Sequence, residues 1–430
     1  MNRELAIHLA KHPSVSVSFL VPECSDKDKR EAGSRNVKIV EAEELPGFEP
    51  VVWLAFPPKD LAIDFVIGHG VILGKQAQII RGSHHCKWIQ VVHTAPEELA
   101  MYKAYSDAIP KGGEKQWNEL KLCRIADRVV AVGPKLHEFY SAYLSSCGKD
   151  VYDFTPGIFT ELSTLQVSSQ MGKKFRILVF GRGDSEDFEL KGFDIAAQAV
   201  AKLNDKSYYL TFVGAPSGNE TQVRNELLKQ GLCRSQLIVK GYLENREYLN
   251  TLLCASNLAI VPSRTEGFGL TALEALSAGL PFLVSHNSGF GEAIQDIGSS
   301  FIVDSEDPEH WAEAIKGIRE KGSEAALQEC RKLRARYAEK YSWETQCNEL
   351  LDMMLNLFQG GCFTFLSLAR ASTIKLHKPK NSLSNCWISV SKIRRCPLRV
   401  CVIGAIFPTT VDLAAAWLAR LISGALSQFR

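Results

Sequence analysis

Four short stretches of this chain carry residue types suited to handling a phosphorylated sugar. Pro262-Ser-Arg-Thr-Glu266-Gly267-Phe268-Gly269 follows an apolar run and opens a helical stretch carrying Leu270 and Glu274. Backbone N–H groups at a helix start favour anionic or hydroxyl-rich ligands. Glu266 can accept hydrogen bonds from sugar hydroxyls and Glu274 from a ribose; the plainer alternative is a helix-terminal carboxylate and a surface one. Phe180-Gly181-Arg182-Gly183, with Lys191-Gly192 entering the next helix, supplies a guanidinium fork and a mobile ammonium that can neutralise a diphosphate. Its alternative is a solvated loop. Ser288-Gly289-Phe290-Gly291-Glu292 reads as a second glycine-rich, phosphate-facing turn. Gly241-Tyr242-Leu243 ends a strand where a base can lie against backbone and a side chain.

The first half offers histidines. Trp88-Ile-Gln-Val-Val-His93 places His93 at the end of an apolar run, facing a presumed cleft. A structural hydrogen bond is the alternative for a lone histidine. His69, between Gly68 and Gly70, is a weaker candidate, and His84-His85-Cys86 reads as a solvated turn. Asp26-Lys-Asp28 has the D-x-D form of a metal motif but lies in the charged stretch Ser25–Ala32, read as a solvated loop; no metal is expected.

These residues need scaffolds, and the hydrophobic pattern supplies them. Val15–Val21, Asp64–Ile67, Trp88–Val92, Val129–Val132 and Val151–Phe154 read as strands separated by helical periodicity. The alternation breaks at 155–173 and restarts with Arg176–Phe180, Tyr208–Val213, Leu237–Lys240, Leu258–Val261 and Pro281–Ser285. Strands alternating with helices imply βαβ units and parallel sheets. The expected class is therefore α/β, with two doubly wound Rossmann-like domains and a ligand cleft between the carboxyl ends of their strands. The expected divisions are residues 1–155, a connection at 156–173, a second domain at 174–341, a closing helix at 342–359 and a tail at 360–430.

At 430 residues the chain exceeds one ordinary core, and 46% hydrophobic with 23% charged residues is a globular composition. The net charge of +2 gives no footprint of a nucleic-acid binder. It is unevenly spread, however. From Gly360 onward ten Lys or Arg face a single acidic residue, Asp412, a balance of +9 that leaves −7 for residues 1–359. The twelve cysteines form no C-x-x-C pair and read as reduced thiols of a cytoplasmic enzyme. The first ten residues lack the continuous apolar segment of a signal peptide.

Residues 174–345 resemble the catalytic domain of family 4 glycosyltransferases, on the run Glu266-Gly-Phe-Gly-Leu-Thr-Ala-Leu-Glu274, Ala275-Leu-Ser-Ala-Gly279-Leu-Pro281 and Gly289-Phe-Gly-Glu292. The resemblance implies the glycosyltransferase B fold and a retaining transfer from a nucleotide-diphosphate sugar to an acceptor hydroxyl. By that resemblance Glu266 with Gly267, Phe268 and Gly269 holds the donor sugar. Glu274 holds the ribose, Arg182 and Lys191 hold the diphosphate, and His93 contacts the sugar near the reaction centre. No cofactor or metal is implied beyond the nucleotide-sugar substrate. The Arg182–Lys191 loop departs from the pattern through an acidic insert, Asp184-Ser-Glu-Asp-Phe-Glu189.

Relatives begin with a strand and a glycine-rich loop, whereas this chain opens in the helical stretch Asn2–Lys11. The first sheet is therefore expected to lack a central strand. Ser342–Phe358 resembles the family's closing helix, and the tail beyond Gln359 is expected to lie outside the fold. Val400–Leu426 has the length of a membrane span, interrupted by Pro408, Asp412 and Arg420, and offers the one route to the cytosolic face of a membrane. Two rivals follow: an inactive nucleotide-sugar-binding remnant, favoured by the missing strand, and a nucleotide-sugar epimerase on the same fold. The sequence names neither the donor sugar, its base nor the acceptor.

Overall fold

A computed structural model of the chain describes residues 1–168, 173–242, 246–358 and 397–404. The strands are β1 (Val15–Val21), β2 (Val37–Glu41), β3 (Phe65–His69), β4 (Lys87–Val92), β5 (Arg128–Val132), β6 (Val151–Phe154), β7 (Phe175–Phe180), β8 (Tyr208–Ala215), β9 (Leu237–Gly241), β10 (Leu258–Val261), β11 (Phe282–Ser285), β12 (Ile302–Val303) and β13 (Leu398–Ile403). They form two parallel sheets, ordered β2-β1-β13-β3-β4-β5-β6 and β12-β11-β10-β7-β8-β9. Short Val- and Ile-rich runs make such strands because helices cover both faces and no side of the pleat meets water.

The first sheet corrects two expectations. Its central slot is filled, and the strand that fills it comes from the tail. β13 pairs in parallel with β1 through Val17↔Val400 and Phe19↔Val402, and with β3 through Phe65↔Val400 and Ile67↔Val402. Read in space, the order is that of a doubly wound sheet whose first strand is encoded last. The physical reason is alternation. Val400 and Val402 point into the main core, while Cys401 and Ile403 point into a second layer with Leu20, Val66 and Trp88. At its entrance Arg399 clamps Asp64 through two side-chain bonds of 2.9 and 2.7 Å. At its exit Gly404 donates to the Leu20 carbonyl at 2.9 Å, where a side chain would collide with the Phe19 ring. The rest of the proposed membrane-span stretch, from residue 405 onward, lies outside the described residues. Among the described residues no helix is long and apolar enough to cross a membrane.

One local difference follows from capping. The stretch expected as a charged loop is a helix, Asp26–Gly33, because Ser25 and Asp28 form a reciprocal capping box. Asp28 of the D-x-D sequence is thereby engaged with its own helix terminus. In the helix Trp343–Phe358, Trp343 stacks on His8 at 5.0 Å and Phe358 meets Phe65 edge-on.

If β13 is the keystone of this sheet, Ile403→Ala should cost about 2–5 kcal/mol, the range for truncating a fully buried aliphatic side chain. Urea unfolding of the full chain checks this. A loss below about 0.5 kcal/mol, typical of surface substitutions, would place Ile403 outside the core.

Candidate active site

Among the described residues, the expected site residues lie in the loops after strand ends or in the helices that those loops enter, because parallel sheets present their βα loops there. In the second domain two loops are tied together. After β7 the chain runs through Gly181, Arg182 and a short 3-10 turn, Ser185–Asp187, to Lys191. Gly192 has φ +63°, and a Cβ there would lie 1.9 Å from the Pro262 carbonyl oxygen. Only glycine permits that approach, which brings Lys191 against the loop after β10. Arg264 of that loop grips Asp194 with two bonds of 2.9 and 2.7 Å, and its N–H donates to the Leu190 carbonyl.

Glu266 stands where these loops meet. Its Oε1 accepts from Lys191 Nζ at 2.6 Å and from Ser263 Oγ at 3.0 Å. Gly269, at φ +98°, turns the chain into the helix Leu270–Ala278. On that helix Thr271 lines the cleft, and Glu274, three residues on, shares its face. Tyr242 follows β9, its N–H donating to the Ala215 carbonyl at 3.0 Å. Leu243 lies outside the described residues.

Gly289 and Gly291 play a different part from the phosphate-facing one expected. Their N–H groups donate to the Gly267 carbonyl and to Ser288 Oγ, at 3.2 and 2.9 Å. Phe290 likewise donates to Phe268. This turn is therefore a buttress that holds the Glu266–Gly269 loop, its donors already engaged within the protein.

The first domain closes over this loop. His93 follows β4, and a Cβ on residue 267 would lie 2.1 Å from the His93 carbonyl oxygen. Phe268 is buried against Gly133, the residue that caps the helix Pro134–Leu144. Beside it Lys135 reaches Thr265 Oγ1 at 2.6 Å, Asn287 Oδ1 at 2.7 Å and Glu98 Oε2 at 3.0 Å. Between the domains lies a cavity of about 340 Å³, walled by His93, Lys103, Arg182, Asp187, Lys191 and Glu266. A volume of this order suits a small-molecule site.

His93 is not alone. Its Nε2 lies 2.8 Å from Nδ1 of His69, the weaker candidate, so one imidazole donates to the other. Burial pushes both down, His93 to about 3, and the pair stays neutral at physiological pH. Nearby, Gln90 Nε2 donates to the Gly70 carbonyl at 2.8 Å and to Glu119 Oε1 at 2.7 Å. Burial pushes the Glu119 carboxyl up to about 7, against the Gln90 bond and a backbone N–H from Val71. Sequence reasoning missed Gln90 and Glu119. The signal was a glutamine inside the otherwise apolar run Trp88-Ile-Gln-Val-Val. Lys103 and Lys135 were also missed and had no local signal, because Asp187, Thr265 and Asn287, which they reach, lie in the other domain.

The comparisons bear on this arrangement. A model of the family 4 glycosyltransferases in conflict systems matches residues 1–350. The chain belongs to this family. Among curated relatives, the D-inositol 3-phosphate glycosyltransferase of Corynebacterium urealyticum is 26% identical over 320 residues, covering 69% of this chain and 72% of that protein. That of Mycobacterium avium is 34% identical over 164 residues, 38% of each chain. Sucrose-phosphate synthase from Thermosynechococcus elongatus shares the fold with a TM-score of 0.66 and 20% identity, over 84% of this chain and 93% of that one. HepE of Anabaena, solved with UDP and glucose, gives 0.61 and 15%, over 82% and 95%. This glycosyltransferase thus pairs the glycosyltransferase B architecture with a cleft in which every wall cation faces a carboxylate.

The neutral form of Glu119 fits its site. A carboxyl raised in the folded state contributes stability below its ordinary value near 4.5, and that contribution is lost as pH rises through about 7. Glu119→Gln keeps an acceptor for Gln90 and cannot ionise. The variant should therefore gain on the wild type between pH 5 and pH 8, by up to about 3 kcal/mol. The histidines are common to both proteins and cancel. Parallel urea titrations at the two pH values check it, and an unchanged difference would mean that Glu119 ionises freely.

Proposed function

We propose that this family 4 glycosyltransferase binds the diphosphate of a nucleotide sugar between Arg182 and Lys191. The sugar lies against Glu266 and the Gly267–Gly269 backbone, the ribose on Glu274 and the base beside Tyr242. The observation that carries this reading is the convergence of Lys191, Glu266, Arg182 and His93, from both domains, on one cavity. As the donor's glycosidic bond breaks, charge builds on the leaving diphosphate. Two side-chain cations and the start of the helix Leu270–Ala278 are placed to stabilise it. An acceptor hydroxyl attacking from the same face retains the anomeric configuration. The carboxylates then serve as binding groups and not as the acid/base pair of a hydrolase. Metal independence is part of the proposal, with Arg182 and Lys191 supplying the positive charge. HepE was solved with UDP and glucose, which supports a nucleotide-sugar donor here and leaves the acceptor to be found.

The inactive-remnant reading loses its ground, because the strand whose absence motivated it is present as β13. The relatives' names favour transfer over epimerisation.

Two measurements test the residue roles. Glu274→Ala should weaken nucleotide binding by about 1.5–3 kcal/mol, the scale of a hydrogen bond to a charged acceptor. Calorimetry with UDP and GDP reads it, and unchanged affinity in a folded variant removes the ribose role. Arg182→Ala and Lys191→Ala should each lower kcat more than they raise KM across a panel of UDP- and GDP-sugars, because the leaving charge grows in the transition state. Effects confined to KM would reassign both cations to ground-state binding.

A further inference from the structure

One carboxylate and two cations meet where the domains face each other, and the family reading gives them no role as a group. Asp187 ends the 3-10 turn Ser185–Asp187 and is 2% exposed. Its Oδ2 binds Nη2 of Arg182, whose Nε lies 2.7 Å from Asp184. Its Oδ1 lies 2.9 Å from Nζ of Lys103, in the first domain. The Ala104 N–H donates to the Glu186 carbonyl at 3.2 Å, docking the turn on the first domain. Ser185 and Glu186 themselves are exposed, so the turn lies at the surface with only its last residue inside.

The charges decide the consequence. Lys103, Arg182 and Lys191 on the cavity wall are matched by Asp187, Asp184 and Glu266. A diphosphate entering this cavity meets no excess positive charge until a carboxylate gives way. Asp187 bridges both Arg182 and Lys103, and the turn that carries it borders water, which gives it a path out of the cavity. A phosphate carries more charge and more acceptor oxygens than a carboxylate, so the exchange favours the donor once Asp187 is hydrated. Without Asp187 or another anion, Lys103 would be an unpaired cation in a partly buried place and Arg182 would keep only Asp184, which is costly.

We propose that Lys103 is a donor-diphosphate ligand contributed by the first domain, and that Asp187 holds Lys103 and Arg182 in place until the donor's phosphate displaces it. The proposal rests on the donor-site reading above. It makes the acidic insert an internal stand-in for the diphosphate, and it makes donor binding depend on both domains.

The test is calorimetry of UDP, GDP, inorganic pyrophosphate and uridine on the full chain and three variants: Asp187→Asn, Lys103→Ala and the double. Asp187→Asn should tighten UDP or GDP, and pyrophosphate, about tenfold, the size of one charge-assisted contact, and leave uridine unchanged. Adding Lys103→Ala should then cost about tenfold for the phosphorylated probes alone. If Asp187→Asn melts like wild type yet binds UDP and GDP no better, Asp187 is a domain latch and the proposal fails. An unchanged affinity on adding Lys103→Ala also overturns it. Should Asp187→Asn not fold, hydrogen exchange on the wild type decides. The Lys191 amide, bonded to the Asp187 carbonyl at 2.8 Å, should exchange faster when nucleotide saturates the protein. Equal or slower exchange overturns the displacement. If neither UDP nor GDP binds wild type or variant, the donor-site reading falls and takes this proposal with it. Binding without tightening defeats the Lys103–Asp187 exchange alone.

Discussion

The first domain depends on one ladder, the insertion of Leu398–Ile403 between β1 and β3. A parallel strand in the middle of a sheet satisfies the backbone groups of both neighbours, and a buried row without it would be left unpaired. The same strand joins two cores, because its alternate side chains enter opposite layers. From this ladder follow the positions of β3 and β4, and from their carboxyl ends the positions of His69 and His93. The donor cleft is built on a strand encoded after everything else in the domain. Its partners in β1 and β3 lie more than three hundred residues earlier in the chain, so the loop it closes carries a large chain-entropy cost. The Arg399–Asp64 clamp and four buried side chains offset that cost.

The cleft follows a second constraint, charge matching without an occupant. Lys191 with Glu266, Arg182 with Asp184 and Asp187, Lys103 with Asp187, and Lys135 with Glu98 leave no lone ion on the wall. One of these pairs, Lys103 with Asp187, crosses from one domain to the other, and Lys135 also reaches Thr265 and Asn287 across the same boundary. They act together with two close backbone approaches, Gly267 on His93 and Phe268 on Gly133. Shape and charge thus hold the two domains in a closed arrangement. The glycines of the second turn belong to the same logic. Their engaged N–H groups fix the loop carrying Glu266, and a rigid loop keeps that carboxylate within reach of Lys191.

The sequence by itself determined the strands that follow residue 174. They are unbroken apolar runs, and Arg182, Lys191 and Glu266, which the fold brings to one cavity, stand out in the loops after them because glycines and charged side chains sit there in one local pattern. It also located the slot for a central strand beside β1. It could not say what fills that slot. Arg399-Val-Cys-Val-Ile-Gly404 has the form of a strand entering a glycine turn, but it stands in a basic, aperiodic tail that read as lying outside the fold. Strand pairing is a non-local choice, decided by which edge completes a ladder and buries both faces. The tertiary structure likewise decided the pairing of His69 with His93, the buried Gln90–Glu119 contact, and the meeting of Lys103 with Asp187. Each of these joins groups far apart in sequence whose charge or hydrogen bond is settled only when water is excluded from between them.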